Sequence, residues 1–192
     1  MGYEDQKGLN HGFLNYGRQK TNMDYIRQLT IVLLVAFAGC TAPVPEKTLQ
    51  AGPFFCPHDS CEDIIISSIG NARETIDVAI YSLTSEDISR AIMKAHKRGV
   101  NVRVIADFLQ SQSRSSRVQE LSAQGIKVKI FPNGTVMHDK FAVIDNSTVI
   151  TGSYNWTKGA SYSNKENFII IVDKGLARKY EDEFFRLWVE AS

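Results

Sequence analysis

Between residues 63 and 189, short runs rich in β-branched residues alternate with amphipathic stretches, and this alternation narrows the fold more than any single motif. Residues 63–74 place Ile64, Ile65, Ile69 and Ala72 at helical spacing. Residues 75–81 set Ile76, Val78 and Ile80 against Asp77 and Ala79, the period of a strand. A helix is predicted over 85–98, started by Ser85 as N-cap ahead of Glu86 and Asp87 and stopped by Gly99. Strands are predicted over 100–107 and 126–131, with a helix over 113–124, ended by Gly125, between them. The apolar run 168–172 is expected as an interior strand. Residues 176–189, with Tyr180, Phe184, Leu187 and Trp188, form a closing amphipathic helix. This order predicts an α/β fold in which a mixed β-sheet is flanked by helices.

Chemistry concentrates in one stretch that follows the loop Pro132-Asn133-Gly134. It reads H-x-K-x4-D-x6-G-S-x-N from His138 to Asn155, with Glu166 eleven residues further on. The runs 141–144 and 148–151 flank Asp145-Asn146-Ser147, which is the pattern of a β-hairpin. His138 and Lys140 are two apart, so on a strand they share a face, and Asp139 points the other way. Gly152 is expected to let the backbone approach a ligand where the second strand ends. Lys140, Ser153 and Asn155 suit the anionic oxygens of a phosphodiester and the charge of its transition state. His138 has the side chain fitted to nucleophilic or acid–base work near neutrality. Glu166 is a candidate to bond the other imidazole nitrogen and fix the ring. No group in the stretch builds a metal cage, and no cofactor is expected.

This joint spacing resembles the phospholipase D superfamily, in its branch of single-motif bacterial endonucleases, with similarity also to mitochondrial cardiolipin hydrolases. The resemblance spans about residues 54 to 192. It implies that His138 attacks phosphorus and forms a phosphohistidine, that Lys140 and Asn155 hold the phosphate, and that Ser153 lies beside them. Glu166 then orients the histidine, and Asp145 is a structural support rather than a proton carrier. The motif occurs once: His96 lacks the spacing, and His11 and His58 lack the lysine. Longer members of the superfamily carry two copies, so the resemblance implies a homodimer with a shared active site and two copies of His138 across one phosphate.

The 192 residues, 43% hydrophobic and 22% charged, suit one modest core after residue 54. Before it the chain changes character. Residues 1–22 are polar, and Met23 is a second candidate start. Residues 23–40 read as a signal peptide or membrane anchor, with Arg27 ahead of an apolar run over 29–40 and Ala36-x-Ala38 as a cleavage signal. Phe37-Ala38-Gly39-Cys40 resembles a lipoprotein box, which makes Cys40 a lipidation candidate. Residues 41–53 read as a Pro-bearing linker, and 54–192 as the catalytic domain. An extracytoplasmic domain, periplasmic or membrane-anchored, is therefore expected. Cys56 and Cys61 then make a candidate disulfide loop; as a zinc set with His58 they lack a fourth ligand.

A net charge of +1 gives no global case for nucleic acid, so any basic footprint must be local. Arg114, Arg117, Lys127, Lys129, Lys158 and Lys165 are the candidates, and Tyr154, Trp156 and Tyr162 the candidate base-stacking rings. The polar stretches 108–117 and 157–165 show no apolar lip for acyl chains, which leans toward nucleic acid. Three readings compete: an exported, metal-independent nuclease acting on DNA or RNA; a phospholipase D or cardiolipin hydrolase; and a non-catalytic nucleic-acid-binding module.

Overall fold

The computed structural model describes residues 51–191. An interior strand of its sheet is β2 (Thr75–Ile80), whose alternation sorts its side chains between two cores. Ile76, Val78 and Ile80 enter one core, and Ala79 the other. β2 is also where strand direction changes. It pairs parallel with β3 (Asn101–Ala106), which pairs parallel with β4 (Lys127–Ile130). On its other side it pairs antiparallel with β5 (Lys140–Ile144), followed by β6 (Thr148–Gly152), β7 (Glu166–Val172) and β1 (Gly52–Cys56). Among the described residues the order is therefore β1-β7-β6-β5-β2-β3-β4, a mixed sheet.

Helices cover both faces. α1 (Cys61–Asn71) and α2 (Glu86–Lys97) put Ile65, Ile69, Ile88 and Ile92 onto one face, with every one of these side chains fully buried. Ser85 does cap α2, its hydroxyl accepting from the Ile88 N–H at 3.1 Å. On the opposite face α6 (Lys174–Glu190) contributes Ala177, Phe184 and Leu187 against Ile105, Phe141, Val143 and Val149. That face also receives Asp77, which is buried. Arg103 satisfies it through Nε and Nη2, each at 2.6 Å, while its guanidinium lies 4.9 Å from the Phe184 ring centre.

Several expectations need correction. The first described strand, β1, starts at Gly52 and so occupies the end of the expected 41–53 linker. It is an edge strand, where the missing N–H of Pro53 is tolerated. The helix expected over 113–124 is only α4 (Val118–Ala123), because the serines before it bond locally, Ser113 to Ser115 and Ser116 to Val118. A short α3 (Phe108–Ser111), capped by Asp107, precedes it. A further short helix, α5 (Lys158–Tyr162), lies in the expected loop 157–165, capped by Thr157. β7 is paired on both sides, yet α6 packs on β2, β5 and β6 and leaves Ile169 partly exposed. Residues 1–50, with the expected signal or anchor at 23–40 and Cys40, lie outside the described residues. Among the described residues no helix is long and apolar enough to cross a membrane.

Candidate active site

The motif residues collect at one end of the sheet, where β1, β2, β3, β4 and β6 finish and β5 and β7 begin. β3 ends at Ala106 and is followed by Asp107, the α3 cap and a buried carboxylate that fastens two segments. Its Oδ1 accepts from the Gln110 N–H at 3.0 Å, and its Oδ2 from the Met137 N–H at 3.2 Å. Met137 is buried beside Phe131 and Phe141, so the residue after it is delivered outward. That residue is His138, and it is exposed.

His138 lies just ahead of β5 rather than within it, as the strand begins at Lys140. The intervening Asp139 carbonyl accepts from the Tyr81 N–H at 2.8 Å, which extends the β2–β5 pairing toward the site. The Asp139 carboxyl is raised above the ordinary carboxylate range, first by burial and then by Glu183, with Lys140 and His138 opposing. The Lys140 ammonium donates to the His138 carbonyl oxygen. Burial depresses it, while Asp139 and Glu166 pull it back up. The Tyr81 ring lies 4.4 Å from the His138 ring and 4.9 Å from Lys140 Nζ. Among the described residues no hydrogen bond reaches the His138 imidazole.

Across the site, Ser153 Oγ donates to Glu166 Oε2 at 2.5 Å and accepts from the Asn167 N–H at 3.1 Å. Asn164 Nδ2 donates to Glu166 Oε1 at 3.3 Å. The expected bond from Glu166 to His138 is absent; both carboxylate oxygens are turned to Ser153 and Asn164 instead. Asn155 holds a buried Oδ1 without a partner among the described residues, so this end of its amide is uncommitted to the fold.

Gly152 serves a different contact from the one expected. A Cβ there would lie 2.3 Å from the Asn167 carbonyl oxygen and 2.6 Å from the Phe168 Cα. The close approach is to the β7 backbone. Asp145 is at the far end of the hairpin, where its carboxylate accepts from the N–H groups of Arg73, Glu74 and Thr75 at 2.8–3.2 Å. Its position is that of a structural tie.

The candidate substrate-contacting groups divide. Arg114, Lys158 and Lys165 are exposed and make no ion pair among the described residues. Arg117 is engaged by Glu86 and Glu120. Lys129 caps α6 through the Trp188 and Ala191 carbonyls at 2.9 and 2.8 Å, and Lys127 starts β4 at the other end of the sheet. Tyr154 and Trp156 are core residues, which removes them as stacking platforms. Tyr162 is exposed, and its hydroxyl donates to the buried Glu62 at 2.6 Å. Sequence reasoning missed Asp107, Gln110 and Tyr81. It also missed an apolar rim, since Leu109 of α3 and Val136 of the loop before His138 are 64% and 61% exposed at the site end. Cys56 and Cys61 form a disulfide with Cα atoms 5.8 Å apart, joining β1 to the start of α1. Among the described residues no three His, Cys, Asp or Glu side chains converge to hold a metal ion.

The sequence and the mixed sheet match known proteins. The family model described as cardiolipin synthase, PLD-like domain, matches residues 65–188. A mitochondrial cardiolipin hydrolase of Xenopus tropicalis is 30% identical over 178 residues, covering 84% of this chain and 85% of the relative. A phospholipase D of Rickettsia prowazekii is 35% identical over 131 residues, covering 68% of this chain and 64% of the relative. Among solved structures, the phospholipase D family member Nuc from Salmonella typhimurium aligns with a TM-score of 0.70 at 31% identity. That alignment covers 74% of this chain and 96% of Nuc. The chain therefore belongs to the phospholipase D superfamily and is a phosphodiesterase.

Proposed function

We propose that this phosphodiesterase is an exported nuclease that hydrolyses DNA or RNA through a covalent intermediate on His138. The imidazole nitrogen attacks phosphorus, a P–N bond forms, and the P–O bond to the leaving oxygen breaks as that oxygen takes a proton. Water then attacks phosphorus and the P–N bond breaks, which returns the imidazole. Lys140 and Asn155 hold the non-bridging oxygens, and Ser153 and Glu166 form the opposite wall. The observation that carries the nucleic-acid reading is the set of uncommitted cations Arg114, Lys158 and Lys165, in the polar segments 108–117 and 157–165 at the site end. The exposed pair Leu109 and Val136 favours the second reading, a phospholipase or cardiolipin hydrolase with the same catalytic groups.

Two copies of the chain complete the site in this reading. One His138 attacks while the other protonates the leaving oxygen, and a two-fold axis brings the same patch of each protomer together. Export is supported by the Cys56–Cys61 disulfide, which suits an oxidising compartment. Mass spectrometry of the mature protein should find its N-terminus near Gly39 or Cys40; an intact chain beginning at Met1 in the cytosol would count against export.

The deciding experiment offers purified protein DNA, RNA and radiolabelled phospholipid in EDTA. Nucleic acid should be cut fastest, without a divalent metal. Loss of cleavage in EDTA with recovery in magnesium would overturn the covalent-histidine route, and faster lipid turnover would promote the second reading. Equal mixing of wild-type and His138→Asn chains, after subunit exchange, should leave about a quarter of dimers active, as expected for groups acting as a unit. Activity in simple proportion to the wild-type fraction would rule the shared site out.

A further inference from the structure

We propose that Tyr81 is a positioning residue of the active site, its ring face fixing His138 against Lys140 and supporting the positive charge that gathers there during reaction. The proposal rests on the reading that His138 and Lys140 carry the chemistry. Tyr81 follows β2 immediately and belongs to neither apolar core cluster. Its aromatic contacts are instead with the site. The His138 ring lies 4.4 Å away at a tilt of 55°, and the Lys140 ammonium is 4.9 Å from the ring centre.

Its other two polar groups are both tied down. The backbone N–H donates to the Asp139 carbonyl at 2.8 Å, and the hydroxyl accepts from Gln110 Nε2 at 3.1 Å. Gln110 is itself held by Asp107, which also bonds the backbone just before His138. The ring is thus anchored at both ends, while the imidazole it touches has no hydrogen bond among the described residues. An aromatic face attracts cations through its quadrupole. When the imidazole nitrogen bonds to phosphorus the ring of His138 becomes cationic, and the Tyr81 ring already lies 4.4 Å from it. Electrostatic support set in place beforehand needs no reorganisation during the step.

The test uses hydrolysis of bis(p-nitrophenyl) phosphate, a phosphodiester that is neither lipid nor nucleic acid. Tyr81→Phe keeps the ring and should keep kcat within about threefold, whereas Tyr81→Leu should lose about tenfold or more in kcat with KM little changed. A series with mono-, di- and trifluorophenylalanine at position 81 holds the shape nearly constant and weakens the face, so kcat should fall stepwise. This series also covers the case in which Tyr81→Leu fails to fold. A flat fluorination series would overturn the electrostatic role. A fall in Tyr81→Phe as large as that in Tyr81→Leu would assign the effect to the Gln110 link and overturn the proposal. If His138→Asn retained activity, the reading of the site itself would fail, separately from any result at Tyr81.

Discussion

The two ends of the β5–β6 hairpin carry the two most conspicuous polar residues of the motif, and they are treated in opposite ways. At the closed end Asp145 and Asn146 turn the chain at φ values of 51° and 50°, and the Ser147 N–H donates to the Ile144 carbonyl at 3.1 Å. The Asp145 carboxylate is saturated by backbone N–H groups of residues 73–75. At the open end His138 is exposed and its imidazole is bonded to no group among the described residues, while Asn155 keeps an unpartnered Oδ1. Polar capacity spent on the protein stabilises it; polar capacity left unspent is what a substrate can use. One motif therefore holds a tie and a tool, and their spacing along the chain does not reveal which is which.

Mutations should separate the two ends. His138→Asn should abolish turnover, with a loss of at least about a thousandfold, because an amide cannot replace the nucleophile. Its Tm should stay within about 2 °C of wild type, and a large fall would mean that His138 also supports the fold. Lys140→Ala should cost about a hundredfold in kcat by removing charge stabilisation from the transition state. Steady-state kinetics reads this directly. Asp145→Ala should do the reverse, lowering stability in urea by about 2 kcal/mol as several N–H groups lose their acceptor. Activity per folded molecule should remain within about threefold. If Asp145→Ala removed activity and spared stability, the division between the two ends would collapse.

The smallest effect tests the face under α6, away from both ends. The Glu181 carboxyl is pushed up to about 7, by burial first and then by Asp77, with Arg103 opposing. The folded state thus holds a proton that the unfolded chain releases near 4.5. Stability from this group is present below that lower value and is lost as pH rises toward 7. Wild-type Tm should accordingly drift down between about pH 5 and pH 7, and Glu181→Gln should flatten the drift. An unchanged slope would show that another group sets it.

The parts of the fold legible in the sequence are those written in local pattern. Ile76, Val78 and Ile80 declare a strand by alternation, and Ser85 declares the start of α2 by capping. β1 was hidden because five residues with a proline resemble a linker until β7 supplies the partner strand. The site shows the same division. His138, Lys140, Ser153 and Asn155 lie close together in sequence, so spacing alone exposes them. Tyr81 reaches His138 from just beyond the end of β2, and only the β2–β5 register brings them together. Glu166 was found by spacing, but its hydrogen-bond partner was not, because Ser153 competes for it at the β6–β7 junction.

Gly152 sets a limit on how this site can evolve. Any side chain there would meet the Asn167 carbonyl and Phe168 backbone well inside contact distance. The neighbouring strands would have to part, carrying Ser153 on one side away from Glu166 on the other. Both groups could be conserved perfectly and the wall they form would still be lost. In a saturation library selected for activity, position 152 should accept no substitution, even though it offers no side chain to the chemistry. Tolerance should reappear at Gln112, Ser113 and Ser115 around Arg114, whose exposed side chains leave the strand spacing unchanged. New specificities are therefore to be sought in that segment, with the β6–β7 junction held invariant.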